Sequence, residues 1–227
     1  MMGGMDFNEL IYILSYGIIP IIFAVALHEA AHAFAAKWLG DDTAHRMGRT
    51  TLNPIVHIDP VGTVVLPLAT FILTGFVFGY AKPVPVIASR LRNPRADMPV
   101  VALAGPAANA VMALFWAVFA LVFVTFLPDE AFFQEMAKAG VRVNLLFFAF
   151  NLIPLLPLDG GRILAGMLPE SMARQFEKIE PYSIWIILFL AVSGSNIIGQ
   201  YWITPIMHSM MKLIQTIVSP LVSLLSL

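Results

Sequence analysis

Cysteine is absent from this 227-residue chain, and charge is scarce. The first absence excludes disulfides and thiolate metal sites, and leaves the redox compartment undetermined. The second says more: 12% of residues are charged and 59% are hydrophobic, whereas about a quarter of a soluble domain is charged. Thirteen basic residues against 14 acidic ones leave a formal charge of −1, which gives no reason to expect a nucleic-acid partner. A basic n-region and a small-residue cleavage pattern are also missing from MMGGMDFNEL, so the first apolar run is expected to be a retained span. Sequence repeats, low-complexity tracts and linkers that would separate soluble domains are lacking too.

What is present is apolar sequence in long runs, with a mean hydropathy of +0.83. Charge-free stretches extend over Leu10–Leu27, Val61–Ala81, Met98–Pro128, Val143–Leu158, Pro181–Met211 and Leu213–Leu227, against the roughly 20 apolar residues that a helix needs to cross a bilayer. They predict an all-α polytopic membrane protein of about five to six membrane segments. The chain reads as one membrane-embedded domain over residues 1–227, with a core over about 8–165 and C-terminal membrane helices over about 181–227. Gly194, Gly199 and Pro205 interrupt the fifth stretch, and Lys212 with spaced Ser and Thr makes the last one compatible with the interface.

Basic residues orient the segments. Arg46 and Arg49 follow the first run and Lys82, Arg90, Arg92 and Arg95 the second, whereas Asp129, Glu130 and Glu135 make the next loop acidic apart from Lys138. The positive-inside rule then puts two consecutive loops in the cytoplasm and the third outside. Val61–Ala81 must in that case enter and leave on one side, and Pro67, Gly75 and Gly79 suit a re-entrant segment.

Into this background falls His28-Glu29-Ala30-Ala31-His32, an HExxH pentapeptide at the end of the first apolar run. Histidines four residues apart share one face of a helix, so both imidazoles can reach one metal ion, and zinc prefers such nitrogen ligands. Glu29 lies about 100° around the helix from His28, within reach of a metal-activated water without being a ligand. The chemistry implied is hydrolysis. A catalytic zinc needs a further protein ligand, and the best candidate is Asp159, in Asn151-Leu-Ile-Pro-Leu-Leu-Pro-Leu-Asp-Gly-Gly-Arg162, where two glycines allow a tight turn. A re-entrant Val61–Ala81 would bring Asp159 to the same side as the histidines; a full span would not.

These motifs, together with Gly105-Pro-Ala-Ala-Asn109, resemble the site-2 protease family of intramembrane zinc metalloproteases. Asn53-Pro-Ile-Val-His-Ile-Asp-Pro-Val-Gly-Thr63 and Ala81-Lys-Pro-Val-Pro-Val86 resemble a compact prokaryotic subgroup, with no room for a PDZ or CBS domain. The resemblance implies one zinc per chain held by His28, His32 and Asp159, with Glu29 as general base. It also implies a partly unwound transmembrane protein or peptide as substrate, cut near the cytoplasmic face of the cell membrane. Asn151 is implied in holding the substrate or the reaction centre, beside the plainer reading of an inter-helix hydrogen bond.

Other polar residues carry weaker expectations. Asn109, beside Gly105 and Ala108, suits close helix packing. His57, between Pro54 and Pro60, could serve as a metal ligand or a substrate contact, but suits a loop or cavity position because Asp159 already completes the metal site. Arg49–Val65, rich in Thr, Val and Ile but broken by prolines, suits short edge strands near the active site. A zinc transporter or a non-catalytic metal-binding membrane protein would use the same histidines, but a transporter needs a path of ligands, with no second His/Asp cluster visible on the outward side, and the presence of Glu29 gives no reason to prefer a non-catalytic protein.

Overall fold

The computed structural model describes residues 7–65, 82–192 and 197–225, and among these every regular element is helical. Helix α1 is Phe7–Trp38 and α2 is Thr43–Arg46. Short turns follow at Pro54–His57, Pro60–Val65 and Ala88–Arg90. Then come α3 (Pro94–Phe126), α4 (Ala131–Asn151), α5 (Asp159–Met167), α6 (Glu170–Glu177), α7 (Glu180–Val192) and α8 (Thr204–Leu225), with a π-helical turn at Gly199–Ile203 ahead of α8.

Two of the described helices are long and apolar enough to cross a membrane: Ser15–Trp38 within α1, and α3. The expected count of five to six segments is not reached among the described residues. The Val143 run ends as helix at Asn151, and Gln134, Glu135, Lys138 and Arg142 dilute α4. Of the re-entrant stretch, only Val61–Val65 falls within the described residues.

The edge strands expected over Arg49–Val65 are not there. Pro54 sits at a helical first position, where its missing N–H costs nothing, and the Asn53 side chain caps the turn by accepting from the Ile55 amide at 3.1 Å. The Asp59 carboxylate likewise accepts from the amides of Val61 and Gly62 at 3.0 and 2.7 Å. Local side-chain capping therefore wins over β propensity.

The contacts define two compact units. One comprises Met1–Ala24, Asn109–Phe150 and Leu190–Leu227. Its core gathers Ala113, Trp116, Met136, Ala137, Val141, Leu145, Ile214 and Val218. Gly140 lets α4 pass directly under the Trp116 ring, with no space for a Cβ. A buried polar pair crosses this core: Asn109 Nδ2 donates to Asn144 Oδ1 at 3.0 Å and to the Ala24 carbonyl at 3.1 Å, and Asn144 Nδ2 donates to the Gly140 carbonyl. The packing role expected of Asn109 is thus observed, with a partner the sequence did not single out.

The other unit comprises Val25–Ala108 and Asn151–Phe189. Within it, the lower half of α1 buries Ala26, Ala30, Ala33 and Ala36 along one stripe. Small side chains of this kind allow close backbone approach, the main source of helix association where lipid replaces water. The helix ends in a Schellman motif: Gly40, at φ +113, donates to Lys37 O, and Asp41 donates to Ala36 O. Arg90 and Arg92 pack against Gly40, with the Arg92 amide donating to Leu39 O. The Schellman turn thereby fixes where the chain after residue 82 runs.

Candidate active site

The second unit assembles the HExxH pair with the distant aspartate. His28 and His32 sit one turn apart on α1, their rings edge to face with centroids 4.7 Å apart. Asp159 is the first residue of α5, where the positive end of the helix dipole favours a carboxylate. The turn ahead of it folds back on itself through Leu155 N–H to Ile153 O and Leu158 N–H to Leu155 O. Gly160 and Gly161 are required here for closeness rather than for unusual dihedrals: a Cβ on either would collide with the backbone of Leu152–Leu156. Among the described residues, positive φ occurs at Gly40 and Gly48 instead.

The three side chains converge. His28 Nε2 lies 3.1 Å from His32 Nε2 and 3.1 Å from Asp159 Oδ2, and His32 Nε2 lies 3.4 Å from Asp159 Oδ1. A tetrahedral zinc with ligand bonds of about 2.0–2.1 Å separates its ligand atoms by roughly 3.3 Å; the imidazole pair stands near that spacing, each imidazole approaches a different carboxylate oxygen at a similar one, and one donor atom from each residue lies within 4.8 Å of the others. Second contacts orient these metal-capable side chains. His32 Nδ1 lies 2.8 Å from the carbonyl of Val101 on α3, and donating there leaves the Nε2 lone pair facing the triangle. Asp159 Oδ2 is buried without a hydrogen bond of good geometry, as suits an oxygen aimed at a cation. The side chains keep only 9–12% of their exposure, so the centre is shielded yet reachable.

Gly105 explains how α3 comes so close. A Cβ there would stand 2.5 Å from His32 Nε2 and 2.6 Å from His28 Nε2, so any larger residue would occupy the space of the two imidazoles.

A cavity of about 160 Å³ opens beside the triangle, lined by Glu29, Asn151 and Arg162 as polar groups and otherwise largely by apolar ones, among them Pro83, Val84, Met98 and Leu158. Glu29 Oε2 accepts the Val84 amide at 2.9 Å. Asn151 thus lies beside the centre. His57 does not line this cavity: it is fully buried, its Nε2 bonded to Thr51 O at 3.0 Å and its own carbonyl accepting the Lys82 amide. Sequence reasoning passed over Arg162 and the Val84 amide. Arg162 closes the Asp-Gly-Gly-Arg run and could have been noticed there, while a backbone donor leaves no mark in a sequence.

Comparisons with known proteins identify the family. The family described as Peptidase family M50 matches residues 127–194, a stretch that includes Asn151 and Asp159. The chain is 35% identical over 224 residues to "Putative zinc metalloprotease YwhC" of Bacillus subtilis, covering 92% of this chain and 95% of that protein. It is 28% identical over 173 residues to "Putative zinc metalloprotease Rip2" of Mycolicibacterium smegmatis, covering 76% of this chain and 64% of that protein. No solved structure matches. A relative matched at this identity along almost its whole length, together with a histidine–histidine–aspartate group that could hold a metal ion, means that the chain belongs to peptidase family M50, the site-2 protease family of zinc metalloproteases.

Proposed function

We propose that this protein is a multi-pass intramembrane endopeptidase that hydrolyses peptide bonds within or next to transmembrane segments, near the cytoplasmic face of the cell membrane. The observation that carries the reading is the triangle of His28, His32 and Asp159 with the Glu29 carboxylate beside it in one cavity. Four helices, α1, α3, α4 and α7, contribute residues to both compact units, which supports treating residues 1–227 as a single working domain.

In this mechanism His28, His32 and Asp159 would hold the zinc, which would supply Lewis acidity for activating a water near neutral pH and for polarising the scissile carbonyl. Glu29 accepts the proton of the attacking water and delivers it to the leaving amine as the C–N bond breaks. Asn151, on the cavity wall, contacts the substrate backbone, and His57, whose carbonyl accepts the Lys82 amide, supports the segment that lines the cavity through Pro83 and Val84. The largely apolar lining suits a peptide taken from a membrane helix. Such a peptide must be unwound locally, because a helical peptide bond is already engaged in its own hydrogen bonds. His28, His32 and Asp159 form the only metal-capable group found among the described residues, which supports a fixed catalytic centre over a relay of transport sites.

The test uses purified protein and a panel of single-span peptides, with and without a zinc chelator, with products located by mass spectrometry. Chelator-sensitive cleavage inside the apolar segment is expected. Glu29→Gln should keep about one zinc per chain while turnover falls at least about a hundredfold, the usual scale for a lost general base. His28→Ala or Asp159→Ala should lose the metal. Undiminished zinc in both ligand variants would sink the assignment.

A further inference from the structure

Apart from histidines and the metal-capable aspartate, two charged residues are buried among the described ones: Asp41, fully, and Arg49, 7% exposed. Burying a charge is costly unless its hydrogen bonds are met, and both meet theirs on the same short segment. Arg49 Nη1 donates to the carbonyls of Pro83 and Lys82 at 2.8 and 3.3 Å. Asp41 Oδ2 accepts the Ile87 amide at 2.6 Å, while its Oδ1 accepts from Thr43. The Lys82 amide donates to the His57 carbonyl at 3.1 Å. Lys82–Ile87 is therefore an extended strap tied at both ends, with Pro83 and Pro85 restricting its dihedrals between the ties. Between those anchors the Val84 amide points at Glu29, giving the 2.9 Å bond to Oε2.

We propose that Asp41 and Arg49 are positioning residues for catalysis: by fixing the Lys82–Ile87 strap they hold the Val84 amide against Glu29 and so set the rotamer in which its carboxylate meets the reacting water. The inference rests on the reading of Glu29 as general base. An unrestrained glutamate side chain samples several rotamers. A charge-assisted N–H···O bond from a rigid backbone selects one of them, engaging Oε2 and leaving Oε1 for the proton. The strap needs both anchors, because each holds only one end.

The experiment compares Arg49→Met, Asp41→Asn and the conservative Arg49→Lys in the full-length protein, reading zinc content, kcat and KM on one peptide. Arg49→Met and Asp41→Asn should each lower kcat about 10- to 100-fold, the scale of losing a group that orients an active-site residue. KM should change less than kcat and zinc should stay bound, because neither Asp41 nor Arg49 lines the cavity or belongs to the metal-capable group. Arg49→Lys should recover part of kcat, since one carbonyl can still be met. On a Glu29→Gln background, measured in single turnover, Arg49→Met should cost nothing further, because the group it acts through is gone. A readout independent of activity is the Val84 amide resonance in valine-labelled protein, which should shift in Glu29→Gln, Arg49→Met and Asp41→Asn alike. Asp41→Asn tests the strap from its other end should Arg49→Met fail to fold. An additive loss in the double variant, an unmoved Val84 amide, or an effect on KM alone overturns the inference while leaving the peptidase reading intact. Absence of chelator-sensitive cleavage by the unmodified protein brings down the peptidase reading and this inference with it.

Discussion

Gly105→Ala is the smallest change that should disable this enzyme without touching a ligand. The added methyl would stand 2.5 Å from His32 Nε2 and 2.6 Å from His28 Cε1 and Nε2, whereas ordinary van der Waals contact begins near 3.4 Å. The difference, 3.4 − 2.5 = 0.9 Å, must be absorbed by moving either α3 or both imidazoles. The imidazoles cannot yield cheaply, because His32 is held to Val101 O and both rings face Asp159. Catalytic constellations tolerate about 0.5 Å of error, and a misplacement near 1 Å costs on the order of a hundredfold in rate, or about 2.7 kcal/mol in the barrier. Zinc affinity should fall with it, since the ligand triangle is spread. The assay pairs zinc retention under graded chelator competition with kcat/KM on a single-span peptide. Gly17→Ala is the matched control: it lies on the same α1 with nothing within 4 Å of its would-be Cβ, so it should behave as the unmodified protein. If Gly105→Ala binds zinc normally and cleaves at the normal rate, α3 does not pass against the histidine pair as described, and the site geometry is wrong.

Three further predictions concern other parts of the molecule. Asn109→Ala removes the partner of Asn144 Oδ1 in a fully buried setting, so it should destabilise the protein by about 1–3 kcal/mol, read as a lowered Tm in detergent with zinc stoichiometry unchanged. Burial alone would raise the Asp41 carboxyl, but hydrogen bonds from the Thr43 hydroxyl and the Ile87 and Thr43 amides, with Arg90 nearby, hold it below its ordinary value of 3.8. A depressed folded value means a stabilising contribution that is complete above the ordinary value and lost as the pH falls through the lowered one. Thermal unfolding between about pH 5 and pH 2 should therefore show an acid-side loss that Asp41→Asn shrinks; an unchanged profile would refute the network. Because the chain lacks cysteine, single cysteines at Thr43 and Ser89 should be labelled only from the cytoplasm, and one at Asp129 only from outside. Outside labelling at position 89 would show that Val61–Ala81 spans.

The membrane class, the helix pair at Leu10–Leu27 and Met98–Pro128, and the metal chemistry were all legible in the amino-acid order. Each rests on local periodicity or composition: a long charge-free run must form its backbone hydrogen bonds internally, and histidines at i and i+4 share a helix face wherever that helix lies. Arg49–Val65 shows where such reasoning stops. Its β-branched residues favour strands, but Asn53 and Asp59 cap nearby amides and the backbone turns instead.

Asp159 stands between these cases. Its candidacy came from a short motif, yet it lies 131 positions after His28, and only folding brings its carboxylate to 3.1 Å from that imidazole. Gly105 was recognisable as a residue of close packing, but what it packs against could be learned only from the coordinates. The link from Asp41 and Arg49 to Glu29 runs through backbone amides and carbonyls of Lys82–Ile87. Every residue carries such groups, so sequence cannot say which ones meet. The order of residues determined the solvent in which this protein folds and the metal chemistry it can perform. The tertiary structure decided which distant side chains and peptide groups share that site, because such contacts depend on how elements far apart in the chain pack together.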